Sequence, residues 1–364
     1  MSRCDDRRQD TRVVGVMADP GLSQKMAQAM ADELQDDLSA EEPSGGEWTV
    51  HLSKEKLPLN YEGDIPLLSH AAELRRRHGW GYVVYLTDLP RYHEDKPMVC
   101  ELSAANSAAL VSVTAMGAFR MKAKTRDLLV ALIRSAQQTP ADVRLDEVAR
   151  SLGIRAVRQL ASGPGRDPVF LVLPGALGQV RLLSGMVRSN NPGRMLPALA
   201  TAITAGVATG GFGIYYGSIW TLADALHPVR LVLISAVVVA ALTFWLIFRN
   251  GLWNMQRARN PWHNGLDNAT TIIMVGSSVI MMYMLIAGIL LGIGATVIDA
   301  EYLESELGSS VGLLDYVRLS WLSASLGTLA GALGSNFDDN EKIRAATYSK
   351  RQHERRERTN AYEE

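Results

Sequence analysis

Two polar segments in the N-terminal half of the sequence carry side chains that could bind a ligand or act on a substrate. The first, Asp19-Pro20-Gly21-Leu22-Ser23, follows one apolar run, and the second, Thr87-Asp88, follows another. Ligands of open α/β sheets commonly bind beyond the carboxyl ends of the strands. On the ground of position alone, we therefore predict a ligand site at Asp19, Gly21, Ser23 and Asp88. For Asp19 itself, the sequence favours the role of a cap on the helix that follows it over that of a ligand residue.

The sequence contains none of the common motifs for nucleotide binding, catalysis or metal binding. Residues 15–23 lack the G-x-G-x-x-G pattern, and as a phosphate loop they are one residue too long, with Leu-Ser in place of Lys-Ser. G-x-S-x-G, H-E-x-x-H and C-x-x-C are also missing. The adjacent residues His93, Glu94 and Asp95 point in different directions and do not form a metal site, which needs convergent ligands. We therefore predict no cofactor and no metal. Because no catalytic motif is found, the sequence favours a protein that is not an enzyme.

Alternating apolar and amphipathic segments predict the elements that position the two polar segments. Strands are predicted over residues 13–17, 47–52, 81–86, 98–102 and 108–114, and helices over residues 21–38, 65–78 and 122–137. This order, which ends in a hairpin, predicts a three-layer α/β domain with a mixed sheet over residues 11–160. Residues 1–10 are predicted to be disordered. They lack the apolar core of a signal peptide, which indicates that the chain starts in the cytoplasm.

The second half of the sequence has the composition of a membrane domain. Four windows contain no ionised side chain: residues 195–222, 231–248, 268–298 and 319–337. A helix needs about 20 apolar residues to cross about 30 Å of hydrocarbon. The α/β domain is thus expected to be followed by an all-α four-helix transmembrane bundle over residues 195–337. The third window would be about 46 Å long as one helix, so it must tilt, kink or project from the bilayer.

The charges in the connections between these windows indicate the orientation. Basic residues are concentrated in residues 249–263 and in the charged tail, residues 338–364, whereas the connection between the third and fourth windows carries Asp299, Glu301, Glu304 and Glu306. Basic residues are retained on the cytoplasmic side of the membrane. We therefore predict a multi-pass protein of the inner (plasma) membrane with both termini in the cytoplasm.

Residues 161–194 are predicted to be a linker between the two halves. Leu177, Val180 and Leu183 alternate with polar residues and with Arg181 and Arg188 in an amphipathic pattern. Such a helix can lie in the membrane interface, with both arginines near lipid phosphates. The alternative is a helix that packs on the α/β domain.

Pairs of glycines four positions apart predict close helix contacts in the membrane. Gly206 and Gly210, and likewise Gly327 and Gly331, fall on one face of their helices. Packing within one bundle and self-association as a homo-oligomer both satisfy this pattern. The predicted partner is the lipid bilayer. A net charge of −1 disfavours nucleic acid as a partner.

Three stretches of the sequence resemble a known group of proteins. They are Gly185-Met186-Val187-Arg188-Ser189-Asn190-Asn191-Pro192, Ser218-Ile219-Trp220 and the tail segment that runs from Asp338-Asp339-Asn340 to Thr347-Tyr348. They are similar to a family of actinobacterial multi-pass integral membrane proteins of no known activity. The resemblance implies a plasma-membrane protein and no reaction, substrate or site residue.

The sequence therefore favours a cytoplasmic α/β domain that acts as a binding or regulatory module and is anchored by a four-helix bundle. One alternative is an enzyme at the membrane surface, with its site near Asp19 and Asp88. The other is a channel or transporter for a small solute.

Overall fold

The structure is a computed structural model of the 364-residue chain. It describes residues 12–40, 47–61, 63–135, 158–161, 168–253, 261–334 and 340–347, together with residues 352, 354, 355 and 357. The chain forms two compact units: residues 1–189 with 348–364, and residues 190–347. The predicted disordered segment, residues 1–10, lies outside the described residues.

The first unit is built on a mixed sheet. Its strands are β1 (Arg12–Ala18), β2 (Trp48–Ser53), β3 (Tyr82–Thr87), β4 (Tyr92–His93), β5 (Lys96–Ser103), β6 (Ala108–Ser112), β7 (Arg158–Ala161) and β8 (Val169–Val172). Seven of them follow the order β2-β1-β3-β6-β5-β8-β7, and β4 pairs with β5. The pairs formed by β1, β2, β3 and β6 are parallel, whereas β5, β7 and β8 pair antiparallel. The predicted mixed sheet of an α/β domain is confirmed.

Three helices connect or follow the parallel strands, as parallel pairing requires. They are α1 (Leu22–Ala40), α2 (Leu67–His78) and α3 (Met121–Ser135). The apolar residues of α2 share a buried cluster with Met17, Tyr85 and Leu110 of the sheet. Helix α1 packs on β2 and on α3. The carboxyl end of α2 is closed by Gly79, whose φ of 70° is the left-handed conformation that glycine adopts readily.

The sheet extends into the segment that the sequence indicates as a linker. Strand β8 pairs with β5 and with β7, so that both final strands belong to the same sheet as the ligand-site strands. The helix α4 (Gly175–Asn190) follows β8. Strand β8 consists of only four apolar residues, and such a short run has no periodicity that distinguishes a strand from a linker.

The second unit is helical. After a 3₁₀ helix (Pro192–Leu199) come α5 (Ala200–Ile214), α6 (Gly217–Ala225), α7 (Pro228–Arg249), α8 (Pro261–Val297), α9 (Ala300–Leu307), α10 (Leu313–Gly334) and α11 (Asn340–Thr347). Three described helical segments are long and apolar enough to cross a membrane: Pro192–Ile214, Pro228–Arg249 and Asn264–Val297. These three helices support a membrane location.

The first predicted window, residues 195–222, is wrong as one continuous helix. Helix α5 ends at Ile214, Tyr216 is extended, and α6 begins at Gly217. Glycine is a poor helix former, and three of the last five residues before the end of α5 are glycines. The indole Nε1 of Trp220 donates to the carbonyl oxygen of Ile214 at 2.6 Å, which satisfies a carbonyl that the break leaves without a helical partner.

The fourth predicted window corresponds to α10, which is not among the three segments above. Asp315 and Arg318 stand near its start. Small polar residues reduce its mean hydropathy further: Ser320, Ser323, Ser325 and Thr328. The last predicted residues, 335–337, lie outside the described part of the chain. A four-helix bundle therefore stays a prediction.

Candidate functional site

The carboxyl ends of β1 and β3 lie side by side at the centre of the parallel part of the sheet. From β1 the chain crosses to β2 on one side, and from β2 it crosses back to β3 on the other side. Such a reversal opens a crevice between the two central strands in α/β sheets. The backbone N–H of Asp19 donates to the carbonyl oxygen of Leu86 at 2.9 Å, which ties the two strand ends together.

The four predicted site residues converge at this edge. Asp19 directly follows β1, Asp88 directly follows β3, and both are buried. Gly21 is exposed, and a Cβ atom on it would stand 3.8 Å from Oδ2 of Asp88. Its φ of 123° is a conformation that side chains other than glycine rarely adopt. The lack of a side chain at Gly21 thus leaves the space above the Asp88 carboxylate open.

The carboxylate of Asp19 is held by two hydroxyl groups of β3. Tyr85 donates to Oδ1 at 2.8 Å, and Thr87 donates to Oδ2 at 2.6 Å. The Thr87 hydroxyl oxygen in turn accepts from the N–H of Leu89 at 3.0 Å. A buried carboxylate is costly unless it receives such hydrogen bonds. Asp19 therefore joins β1 to β3 through side chains as well as through the backbone.

Two of these observations differ from the sequence-based expectation. Helix α1 begins at Leu22, three positions after Asp19, so Asp19 does not occupy the N-cap position. Tyr85 is a part of the site that the sequence reasoning missed. Its spacing from Thr87 is informative, because residues two apart in a strand share one face of the sheet.

Ser23, two positions after Gly21, has an unused hydrogen-bonding group. Its hydroxyl is fully buried in the first turn of α1 and has no partner among the described residues. An unsatisfied buried hydroxyl costs free energy, and structures keep such groups where they serve a purpose. The edge thus combines two carboxylates, a free hydroxyl and an open glycine. These groups suit a ligand that carries hydrogen-bond donors such as hydroxyl or amino groups.

The segment His93-Glu94-Asp95 and the thiol of Cys100 have surroundings that do not suit metal binding or catalysis. Glu94 and Asp95 form the turn of the β4–β5 hairpin with positive φ angles of 44° and 65°, and His93 stacks on Phe170 with its ring centroid 3.8 Å away. Within the described residues, no three His, Cys, Asp or Glu side chains form a group that could hold a metal ion. Burial raises the pKa of the Cys100 thiol, which disfavours the reactive thiolate.

The two predicted membrane-interface arginines of α4 have different surroundings. Arg181 is half-buried, and its Nε donates to the carbonyl oxygen of Ala115 at 3.0 Å. Burial lowers its pKa. A Cβ atom on Gly185 would collide with the Thr114 carbonyl, so this face of α4 lies directly against the 3₁₀ turn Val113–Met116. Arg188 is exposed. The contacts of Arg181 therefore agree with the alternative in which α4 packs on the α/β domain. Of the two arginines, Arg188 is the one whose side chain is exposed.

The predicted glycine faces meet within the chain. A Cβ atom on Gly331 would stand 2.5 Å from the backbone nitrogen of Gly206, and one on Gly327 would stand 2.8 Å from that of Gly210. Gly210 also lies close to the carbonyl oxygen of Ser323. Higher numbers on α10 contact lower numbers on α5, so the two helices run antiparallel with their backbones in contact.

A cavity of about 1110 Å³ lies between α7, α8 and α10. Most of its lining is apolar, and it includes the open face of α8 at Gly288. No Asp, Glu, Lys, Arg or His is among the described residues that line it. A path for a charged or strongly polar solute is normally lined by such side chains. The cavity therefore gives no support to the transporter alternative.

No protein-family model, curated protein or solved structure matches the chain significantly.

Proposed function

We propose that the protein is a multi-pass inner-membrane protein whose cytoplasmic α/β domain binds a small polar ligand at the carboxyl edge of β1 and β3. The domain has helices on both faces of its sheet, in three layers. The three long apolar segments support the membrane location. The convergence of Asp19, Gly21, Ser23 and Asp88 at the crevice between the central strands carries the proposal for binding.

We infer that α10 is the fourth crossing helix, although it is less apolar than the other three. It runs antiparallel along α5, which is itself part of a candidate span. Its serine and threonine side chains are buried inside the helical unit. A helix that is surrounded by other helices exposes little surface to lipid and needs fewer large apolar side chains than its neighbours.

The chemistry of the edge favours a neutral or cationic ligand over an anion. Asp19 and Asp88 would repel a phosphate or carboxylate that approached the exposed Gly21. Hydroxyl or amino groups of a metabolite would instead donate to Asp88 and exchange hydrogen bonds with Ser23. Binding would then satisfy the Ser23 hydroxyl, which lacks a partner among the described residues.

The test is a thermal-shift screen of the full chain in lipid nanodiscs against polyols, nucleosides, amines and amino acids. Each compound that raises the unfolding temperature is measured again with Asp88→Asn and Ser23→Ala. We expect both substitutions to reduce the shift, because each removes a hydrogen-bonding group of the edge. Asp32→Asn is the matched control, because Asp32 is an exposed carboxylate on α1.

Each outcome of the screen has a defined meaning. A shift that Asp88→Asn and Asp32→Asn leave equally unchanged would place the ligand elsewhere. The absence of any shift would count against a small polar ligand. Conversion of a bound compound to a product would favour the alternative of an enzyme at the membrane surface over a binding module.

A further inference from the structure

Three large apolar side chains of the first unit are strongly exposed. Phe119 is 83% exposed, Leu177 is 86% exposed and Val180 is 60% exposed. Phe119 stands in the loop between the 3₁₀ turn Val113–Met116 and α3, whereas Leu177 and Val180 stand on α4. Single exposed apolar residues are ordinary, but a group on one surface marks an interaction site.

The loop of Phe119 and the helix α4 are joined by direct contacts. The N–H of Ala118 donates to the hydroxyl of Ser184 at 3.3 Å. Ser184 follows Val180 by four positions and Leu177 by seven, so the three residues share one face of α4. Gly117, with a φ of 77°, lies against the side chain of Arg181. The loop that carries the exposed Phe119 therefore lies against α4, on the face that carries Leu177 and Val180.

Basic side chains border this apolar group. Arg120 is exposed and has a positive φ of 53°, and Lys124 follows in the first turn of α3. Desolvation, together with the positive charges of Arg181 and Arg120, lowers the pKa of Lys124. Arg120 and Arg181 therefore each lie close enough to Lys124 to repel it. A nearby anion would relieve this repulsion.

Other cations of α3 have acidic partners. On α3, Lys122 and Arg126 pair with Glu33 of α1 at 2.7 Å and 3.0 Å. Within the described ranges, no ion pair involves Arg120 or Lys124. The structure thus divides the cations of this region into a paired set that faces α1 and a set that borders Phe119.

We propose that Phe119, Arg120, Lys124, Leu177 and Val180, the Phe119 surface, dock the α/β domain onto a bilayer that contains anionic lipid. Apolar side chains with basic neighbours are the composition of surfaces that insert at the headgroup boundary. The chain also leads from this helix to the proposed membrane domain, because α4 ends at Asn190 and the first candidate span begins at Pro192. This proposal rests on the proposed membrane insertion of residues 190–347.

The experiment uses the full chain reconstituted into liposomes of phosphatidylcholine and phosphatidylglycerol. Cys4→Ser leaves the buried Cys100 as the remaining natural cysteine. Phe119→Cys is labelled with an environment-sensitive fluorophore, and quenching by spin-labelled lipid reports contact with the bilayer. Tyr61→Cys is the matched control, because Tyr61 is an aromatic residue of the same unit and is 81% exposed.

We expect lipid quenching at position 119 to exceed that at position 61 by about threefold or more. Adding Arg120→Gln and Lys124→Gln, or replacing phosphatidylglycerol by neutral lipid, should reduce the quenching at position 119. Equal quenching at the two positions would overturn the proposal. So would a label at position 119 that is shielded from both lipid and aqueous quenchers, because a protein would then cover the surface.

Membrane insertion itself is checked in the same preparation. If residues 190–347 span the bilayer, the protein floats with the liposomes and resists extraction by alkaline carbonate. Extraction would refute the proposed membrane insertion. Retention together with equal quenching would refute only the docking of the Phe119 surface.

Discussion

Arg181 and Arg188 are seven positions apart on α4, and the sequence pattern alone assigns them the same role. The side chain of Arg181 is used within the α/β domain, where it donates to Ala115 and packs against Gly117. Arg188 is exposed near the end of the helix. The two residues therefore contribute to different properties, the first to the stability of the domain and the second to its surface charge.

We predict that Arg181→Gln lowers the free energy of unfolding by about 1–3 kcal/mol, because it removes a charged hydrogen bond to a buried carbonyl. Arg188→Gln should change it by less than about 0.5 kcal/mol, as is usual at the surface. Denaturant unfolding of the detergent-solubilised protein, followed by circular dichroism, measures both. An equal loss of unfolding free energy in the two variants would show that the contacts of Arg181 do not stabilise the packing of α4.

The candidate site at the carboxyl edge of β1 and β3 shows how far the positions of single residues can be predicted from sequence. Asp19, Gly21, Ser23 and Asp88 follow from one rule about strand ends, and the fold brings them together. The burial of both carboxylates does not follow from that rule. Neither does the role of Tyr85, because an aromatic residue in an apolar strand is indistinguishable from a core residue until its hydroxyl is seen on Asp19.

The contact between α5 and α10 depends on glycine at four positions. Gly206, Gly210, Gly327 and Gly331 let the two backbones touch. Inside lipid no hydrophobic effect drives helices together, so the contact is stabilised by close van der Waals packing and by weak polar contacts. On α8, in contrast, Gly288 and Gly292 have no described atom of another helix within 4 Å of the place where a Cβ atom would stand.

Replacing Gly327 and Gly331 by Ile should therefore destabilise the helical unit by about 3 kcal/mol or more, because the new side chains collide with α5. The thermal midpoint should fall while the molar mass, from size exclusion with light scattering, stays the same. Gly288→Ile with Gly292→Ile is the control and should leave the midpoint unchanged. A shift from oligomer to monomer in the first variant would instead show that its glycines join two copies of the chain.

The elements that sequence periodicity predicted well are those with strong local patterns. Helices α1 and α2 are amphipathic, and β1 and β3 are rich in apolar and β-branched residues. The elements that it missed depend on distant contacts: β8 is a strand because β5 offers it a pairing edge, and the end of α5 is set where Trp220 can reach the carbonyl of Ile214.

At the scale of the whole molecule, the chain combines an α/β unit with a helical unit of membrane-spanning length. This division follows directly from the sequence, because four apolar stretches without an ionised side chain follow one another in the second half. Whether α10 crosses the membrane does not follow from its hydropathy alone. Because much of α10 is buried within the helical unit, it can carry polar side chains that would otherwise indicate a soluble helix.

The orientation and the number of crossings test the central claim most directly. A reporter enzyme that is active only outside the cytoplasm is fused after Arg259, after Glu304 or after the last residue, Glu364. We predict activity only after Glu304, because the acidic connection then lies outside and α10 returns the tail to the cytoplasm. Activity after Glu364 would contradict α10 as the fourth crossing helix. Activity after Arg259 with none after Glu304 would contradict the orientation, and with it the cytoplasmic place of the ligand site.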